Sequence, residues 1–239
     1  MIDLQAFQTA VSLHFTDVNL LQQALTHRSY VNEHEDTNLV DNERLEFLGD
    51  AVLDFVTGDM LFRRFPDALE GELTRLRAAL VRTESLAALA KLCQVGEALR
   101  MGKGEENSGG RDRLNNLCGA FEALIGALYI DQGLEVVKAF VTPLLLRRLD
   151  VIIAEQLDKD PRSVLQERSQ YQYGKTPHYR FVDSSGPEHE KAFTFEVLIG
   201  DWVAGRGVGR SKQAAAHAAA YDALSRIEKP DQIGENGDE

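Results

Sequence analysis

The sequence predicts two domains: an all-helical domain over residues 1–154, and a small α+β domain with the element order α-β-β-β-α over residues 160–228. Up to about Ala154, apolar residues recur at intervals of three and four, which is the period of an amphipathic helix. After Asp158 the pattern changes to one helix, three short alternating strands and an alanine-rich helix. The charged residues 229–239 lack a core, so we expect a disordered acidic tail.

Repeated apolar stripes support the helices of the first domain. Examples of such stripes are Leu20, Leu21, Ala24 and Leu25, then Leu86, Leu89, Ala90 and Leu92, then Phe121, Leu124, Ile125 and Leu128. The breaks between helices are expected at two segments rich in polar residues, FPDALEG (65–71) and GKGEENSGG (102–110). A helical domain of this length can bury a continuous core.

Each element of the second domain has a local signal. Asp160 can cap a helix over residues 161–173, and Pro161 suits the first turn of that helix. The strand segments are HYRFVD (178–183), AFTFEVLIG (192–200) and DWVAGRGVG (201–209). Ser211 is a good N-cap for the alanine-rich helix that follows them.

The way charge is distributed along the chain says more about possible binding partners than the net charge does. The net charge of −12 argues against binding a polyanion over the whole surface. Residues 160–228, however, hold nine Lys/Arg and nine Asp/Glu, so this stretch is neutral. If any part of the chain meets a polyanion unaided, it is therefore the second domain, whereas the acidic first domain would need cations.

Several features predict a reduced, cytoplasmic protein without a membrane partner. No window approaches the roughly 18 uninterrupted apolar residues of a spanning helix. The first 15 residues lack the basic flank and apolar block of a signal peptide. Cys93 and Cys118 are isolated in apolar surroundings rather than spaced as a zinc or redox pair.

The main functional signal is a group of carboxylates in the otherwise apolar segment NERLEFLGDAVL (42–53). Glu43, Glu46 and Asp50 are three and four residues apart, so they share one stripe of a helix. No Lys or Arg lies on that stripe, and two like charges about 4 Å apart repel by roughly 4 kcal/mol at the edge of a protein. The stripe is either a solvated acidic face or a site for a hard divalent cation such as Mg²⁺, which prefers oxygen ligands.

A single acid, Glu122, lies in the apolar segment LCGAFEALIGALYI (117–130). A glutamate in such a segment is rarely left unpaired. Two alternatives are open: a salt bridge to an arginine such as Arg75 or Arg77, or completion of the cation site from across a helix pair.

These residues resemble the ribonuclease III family over nearly the whole chain. The segment ERLEFLGDAV (43–52) is similar to the family signature. Four further segments that match in order and spacing are ALTHRSY (24–30), RFPDALEGELTRLRAALV (64–81), GKGEENSGG (102–110) and FEALIGALY (121–129). Residues 160–228 are similar to a double-stranded RNA-binding domain.

The resemblance implies a Mg²⁺-dependent endoribonuclease, with Mn²⁺ as an expected substitute. Such an enzyme works as a homodimer, cuts both strands of an RNA duplex to leave short 3′ overhangs, and processes structured precursors such as rRNA and some mRNAs. By position, Glu46, Asp50 and Glu122 match the metal-binding acids of the family, and Asp50 and Glu122 its catalytic acids. Glu43 matches an acid at the mouth of the cleft, and Glu70 one near the substrate and the partner subunit.

One position departs from the family pattern. The family usually has an aspartate three residues before the glutamate of the second acidic motif, where this chain has Gly119. Asn115, Asn116 or water could supply the missing oxygen. The alternative function is therefore a double-stranded RNA-binding homologue in which catalysis is weakened or lost.

In the second domain the resemblance implies three regions that contact RNA. A-form RNA presents 2′-hydroxyls in a shallow minor groove and phosphates along a deep major groove, and a helix N-terminus favours phosphate. The implied contact residues are Gln166 and Glu167 in the first helix, His189 between two strands, and Arg210, Ser211 and Lys212 at the last helix. Gln213 stands where the family often has a second basic residue.

Overall fold

The structure is a computed structural model that describes residues 3–34, 39–155, 158, 160–187 and 191–227. Contacts between Cα atoms divide the chain into two compact units, Met1–Asp158 and Lys159–Glu239. The first unit is helical and the second has the order α-β-β-β-α, which confirms the predicted fold class. The limits at residues 154 and 160 stay predictions, and the tail predicted over 229–239 lies outside the described residues.

Ten α-helices make up the described part of the first unit. They are α1 (Leu4–Val11), α2 (Val18–Ala24), α3 (Arg28–Asn32), α4 (Glu43–Arg64), α5 (Glu70–Val81), α6 (Thr83–Leu92), α7 (Val95–Ala98), α8 (Lys103–Asn107), α9 (Leu114–Gln132) and α10 (Leu134–Ala154). The break predicted at 65–71 separates α4 from α5, but the one predicted at 102–110 contains the short helix α8. Across the described ranges, no helix has the length and apolar character needed to cross a membrane.

Helix α9 lies at the centre of the first unit. Every residue from Leu117 to Leu128 is buried, and α2, α4, α6 and α10 pack around the helix. Each fully buried Leu, Ile or Phe side chain contributes about 1.5–3 kcal/mol. The apolar composition of α9 therefore fixes the positions of the helices around it.

Helices α4 and α9 cross with their backbones in direct contact. A Cβ atom on Gly49 of α4 would lie 1.8 Å from the carbonyl oxygen of Glu122. One on Gly126 of α9 would lie 2.2 Å from the carbonyl oxygen of Leu45. Only glycine fits at both positions, and Gly49 lies between Glu46 and Asp50, so the crossing brings these two acids close to Glu122.

The second unit packs two helices on one face of a three-stranded sheet. Its elements are α11 (Pro161–Tyr173), β1 (Pro177–Ser185), β2 (Ala192–Ile199), β3 (Trp202–Gly209) and α12 (Lys212–Ile227). The strands are antiparallel in the order β1-β2-β3. Both predicted caps are present: the Asp160 carboxylate accepts from the Arg162 amide, and the Ser211 hydroxyl accepts from the Ala214 amide.

Small residues let α12 lie directly on β3. A Cβ atom on Gly207 would lie 2.1 Å from the backbone nitrogen of Ala219, and a Cβ atom on Gly205 would lie 2.5 Å from the carbonyl oxygen of Ala219. The buried side chains that complete this core are Leu165, Val197, Ile199, Ala204, Ala219, Ala220 and Ala223. The close packing fixes the start of α12 relative to the end of β3.

Replacing Gly49 with alanine should destabilise the first unit, because the added methyl group forces α4 and α9 apart. Overpacking of this kind costs typically about 1–3 kcal/mol. Gly58→Ala is a matched control on the same helix, since a Cβ atom there meets nothing within 4 Å. It should be neutral or stabilising by up to about 1 kcal/mol. Urea unfolding of both variants and the wild type measures the difference, and equal midpoints for the two variants would contradict the close crossing.

Candidate active site and nucleic-acid interface

An acidic pocket lies where α4 crosses α9. Glu43, Glu46, Phe47 and Asp50 from α4 and Glu122 from α9 line an open pocket of about 450 Å³. Glu43 and Asp50 are exposed, Glu46 is half-buried and Glu122 is buried, so the carboxylates extend from solvent to the core. The structure therefore brings together the four acids that the sequence predicted for one site.

Glu122 places a carboxyl group at the inner end of the pocket. Its side chain is 9% exposed, and this burial raises its pKa to about 7. Repulsion from Asp50 and Glu46 also raises the pKa, whereas a hydrogen bond from Cys118 opposes the shift. Burial likewise raises the pKa of the Cys118 thiol to about 12, with the nearby Glu122 adding to the effect.

The arginine alternative for Glu122 does not match the structure. The Arg75 guanidinium donates to the carbonyl oxygen of Gly71, and Arg77 lines a separate pocket. Within the described ranges, no ion pair links Glu122 to a basic residue. Glu122 instead faces the acids of α4.

Glu46 lies against the backbone of Gly119. A Cβ atom on Gly119 would be 2.7 Å from Oε2 of Glu46. The pKa of Glu46 is raised by burial first and then by repulsion from Glu43, Asp50 and Asp41. The Glu46 carboxylate thus occupies space that an aspartate side chain at position 119 would need.

Neither asparagine that precedes Gly119 lines the acidic pocket. The Asn116 amide donates to Oε1 of Glu105 at 2.7 Å and to the carbonyl oxygen of Gly110 at 3.0 Å. Asn115 is exposed. Asn116 therefore holds the 102–110 segment against α9.

Arg28 is a cation at the pocket mouth that sequence spacing missed. Its Nη1 lies 3.2 Å from Oε1 of Glu43, and both side chains are more than half exposed. The segment that carries it is fixed to the start of α4, because Nδ2 of Asn42 donates to the carbonyl oxygen of Ala24. An exposed pair contributes only about 0–1 kcal/mol, so its effect is local neutralisation rather than stability.

The chemistry of the pocket suits a hard divalent cation. Asp50 raises the pKa of both Glu46 and Glu122, and a bound cation would relieve that repulsion. In the part of the chain that the structure describes, no three His, Cys, Asp or Glu side chains already converge to hold a metal.

Glu70 lies apart from these acids. It lines a second pocket together with Leu61, Phe62 and Arg77. Its carboxylate accepts a hydrogen bond from the Thr74 hydroxyl at 2.9 Å. A single chain therefore does not bring Glu70 into the acidic pocket.

The predicted RNA-contact residues lie at the surface wherever they are described. These exposed residues are Gln166 and Glu167 on α11, and Arg210, Ser211 and Lys212 at the start of α12. The Lys212 ammonium lies 6.0 Å from the ring centroid of Phe181, and the Ser211 hydroxyl is occupied as the helix cap. His189 lies outside the described residues.

The chain combines two kinds of domain. The helical domain carries an acidic pocket suited to a divalent cation, and the α-β-β-β-α domain has basic residues at the N-terminus of its last helix. The Ribonuclease-III-like family model matches residues 17–149, and the double-stranded RNA binding motif matches residues 161–227. The chain belongs to the ribonuclease III family. It is an endoribonuclease of that type, and the family is typically Mg²⁺-dependent.

Curated relatives match almost the whole chain. Ribonuclease 3 of Geobacter sulfurreducens is 44% identical over 224 residues, which are 94% of this chain and 90% of that protein. Ribonuclease 3 of Roseiflexus sp. is 49% identical over 216 residues, 90% of this chain and 91% of that protein. The solved nuclease domain of ribonuclease III from Campylobacter jejuni is 40% identical with a TM-score of 0.56, covering 61% of this chain and 98% of that one.

The raised pKa of Glu122 predicts a pH dependence of stability in the metal-free protein. Between the ordinary value of 4.5 and about 7, the folded state holds a proton that the unfolded state has released. The free energy of unfolding should therefore fall as pH rises through this window. Glu122→Gln cannot ionise, so its stability should increase relative to wild type from about pH 5 to about pH 8. Urea unfolding in EDTA measures this difference, and a gap that stays constant with pH would rule out the shifted carboxyl.

Proposed function

We propose that this endoribonuclease cuts RNA duplexes at the acidic pocket, with Mg²⁺ held by Glu46, Asp50 and Glu122 and Mn²⁺ as a substitute. The observation that supports it is the placement of carboxylates from α4 and α9 in one pocket. When bound, the cation would activate a water molecule and neutralise charge on the phosphate oxygens. The substrates are structured precursors such as rRNA and some mRNAs.

In this proposal, the role of each carboxylate follows from how deeply it is buried in the pocket. Glu122 is anchored in α9 and supplies a fixed oxygen ligand, whereas the exposed Asp50 faces the approaching phosphate. Glu46 turns between Gly119 and the other two acids. Glu43 stays partly neutralised by Arg28 at the mouth, which reduces repulsion of the RNA backbone.

We propose that two copies associate through the helical domain, so that each supplies one pocket to one strand. Phe47, Phe55 and Phe62 are 82%, 56% and 71% exposed and lie within about 80° of one another around α4. Monomers rarely leave such apolar surface uncovered. The Campylobacter jejuni nuclease domain has a region involved in dimer formation. The second copy would bring a partner surface to Glu70.

The proposed compartment is the cytoplasm. The two cysteines, Cys93 and Cys118, are free and buried, and a reducing compartment would keep their thiols in that state.

A long RNA duplex should be cut in the presence of Mg²⁺ and remain intact in EDTA. Glu122→Gln should lower the cleavage rate by at least about 100-fold, because it removes a charge needed to hold the cation. Single-stranded RNA of the same sequence serves as the substrate control. Duplex binding without cleavage at any Mg²⁺ concentration would favour the alternative of a catalytically inactive RNA-binding homologue.

Gly119→Asp should lower the Mg²⁺ concentration needed for half-maximal cleavage, because it restores a fourth carboxylate to the site. The new side chain displaces only the flexible end of Glu46. Gly119→Asn is the matched control, since it introduces the same Cβ atom without a charge. An unchanged Mg²⁺ requirement in the aspartate variant would count against a three-acid site.

Duplex RNA binding should be modest and should weaken steeply with salt. Lys212→Ala should weaken binding equally for all duplex sequences and reduce the salt slope by about 1. Arg226→Ala is the control at the other end of α12, where the guanidinium pairs with Asp222 at 2.8 Å. Fluorescence anisotropy in EDTA measures both, and a slope unaffected by Lys212→Ala would exclude a phosphate contact there.

A further inference from the structure

Arg28 has unused hydrogen-bond donors at the mouth of the acidic pocket. Its Nη1 donates to Oε1 of Glu43 at 3.2 Å, so the pair is joined through one nitrogen rather than two. A guanidinium group carries five N–H donors in one rigid plane. Among the described residues, Glu43 is the one side chain that pairs with this guanidinium. Because 64% of the Arg28 side chain is exposed, its other donors are left for an acceptor that arrives from solvent.

The backbone that carries Arg28 is fixed to the start of α4. Asn42 is buried, and its amide donates to the carbonyl oxygen of Thr26 at 3.0 Å. The His27 amide donates to the carbonyl oxygen of Arg100 at 3.0 Å, which also ties this segment to the residues that precede α8. Arg28 is the first residue of α3 and directly follows these bonds. Its position beside the pocket is therefore set by main-chain contacts and not by the ion pair alone.

The chemistry around Arg28 favours a phosphate group as the ligand of the free donors. Guanidinium binds phosphate through two parallel N–H···O bonds, which suits a group with several donors on one edge. The four carboxylates that line the pocket repel a phosphodiester. A guanidinium at the mouth supplies local attraction at the place where an RNA backbone would have to approach.

We propose that Arg28 binds the RNA backbone at the pocket mouth. A phosphate next to the scissile one accepts hydrogen bonds from the guanidinium, while Glu43 holds Nη1 in place. Arg28 is then a substrate-binding residue, and Glu43 is a positioning residue that acts through it. The proposal rests on the proposed function, since it requires RNA to approach this pocket. It gives the helical domain a contact with RNA that does not pass through a bound metal.

Binding of the full chain to a long RNA duplex in Mg²⁺ tests the contact, with Glu122→Gln present in every protein to suppress cleavage. Arg28→Ala should weaken binding about tenfold and reduce the salt slope by about 1, as expected for the loss of one charge-assisted phosphate contact. Arg28→Lys should restore the slope but only part of the affinity, because an ammonium group cannot form two parallel bonds. Equal affinity and slope with and without Arg28→Ala would overturn the proposal.

A double variant separates contact with RNA from neutralisation of Glu43. If Arg28 did no more than offset the charge of Glu43, Arg28→Ala would have no effect once Glu43→Gln had removed that charge. A direct contact predicts that Arg28→Ala still weakens binding about tenfold in the Glu43→Gln protein, and loss of the effect there would refute it. Arg63→Ala is the matched control and should leave binding unchanged, since this exposed arginine pairs with Asp59 at 2.9 Å near the other end of α4.

Cleavage kinetics distinguish failure of this proposal from failure of the proposed function. In the protein that retains Glu122, Arg28→Ala should raise KM about tenfold and change kcat by less than about threefold, because the contact lies outside the reacting bonds. Urea unfolding confirms that each variant is folded. Normal cleavage with an unchanged KM would refute the contact and leave the nuclease assignment standing. Absence of cleavage in every protein, with binding still weakened by Arg28→Ala, would refute the nuclease assignment and leave the contact standing.

Discussion

Backbone contact between α4 and α9 is the constraint on which the acidic pocket depends. Gly49 and Gly126 each face a carbonyl oxygen of the other helix, at positions where a Cβ atom has no room. Side chains usually hold helix axes about 8–10 Å apart, so two glycines at a crossing bring flanking residues closer than ordinary packing does. Glu46 and Asp50 flank Gly49 and thereby share a pocket with Glu122. The glycine in the segment ERLEFLGDAV is thus as necessary to the site as its acids.

Placing acids at this crossing carries an electrostatic cost in the metal-free protein. Burial disfavours the charge on Glu122, and the neighbouring acids add repulsion. A protein selected only for stability would put an apolar residue there, since polar residues in a core usually cost free energy unless they are satisfied. A local departure from the stability optimum is expected at functional sites. A divalent cation is the partner that would reverse the cost, because it favours the ionised form of every acid around it.

Local patterns predicted the elements, whereas contacts distant in sequence decided the details of the site. The spacing of Glu43, Glu46 and Asp50 is a helical period and needs no fold to be recognised. The spacing of residues in the sequence does not encode how helices pack. It therefore could not predict that Arg28 pairs with Glu43, or that Glu122 lies beside the acids of α4 rather than beside an arginine. Helix α8 formed inside a predicted break because the Glu33 carboxylate accepts the amides of Lys103 and Gly104 at its start. Cys118 and Glu122 are one turn apart, so their contact could have been predicted.

The two domains contribute differently to the interaction with RNA: the helical domain carries the acidic pocket, and the second domain carries basic residues that attract phosphate. A pocket of carboxylates repels a phosphate backbone until cations are bound, so the helical domain alone is poorly suited to capture a duplex. The second domain is close to neutral and offers one lysine and one arginine at the start of α12, where dipole and backbone amides add to their charge. Such a contact is weak by itself. Two copies on one duplex would make the second contact intramolecular and strengthen binding without any new residue, so the proposed dimer supplies affinity as well as the second cut.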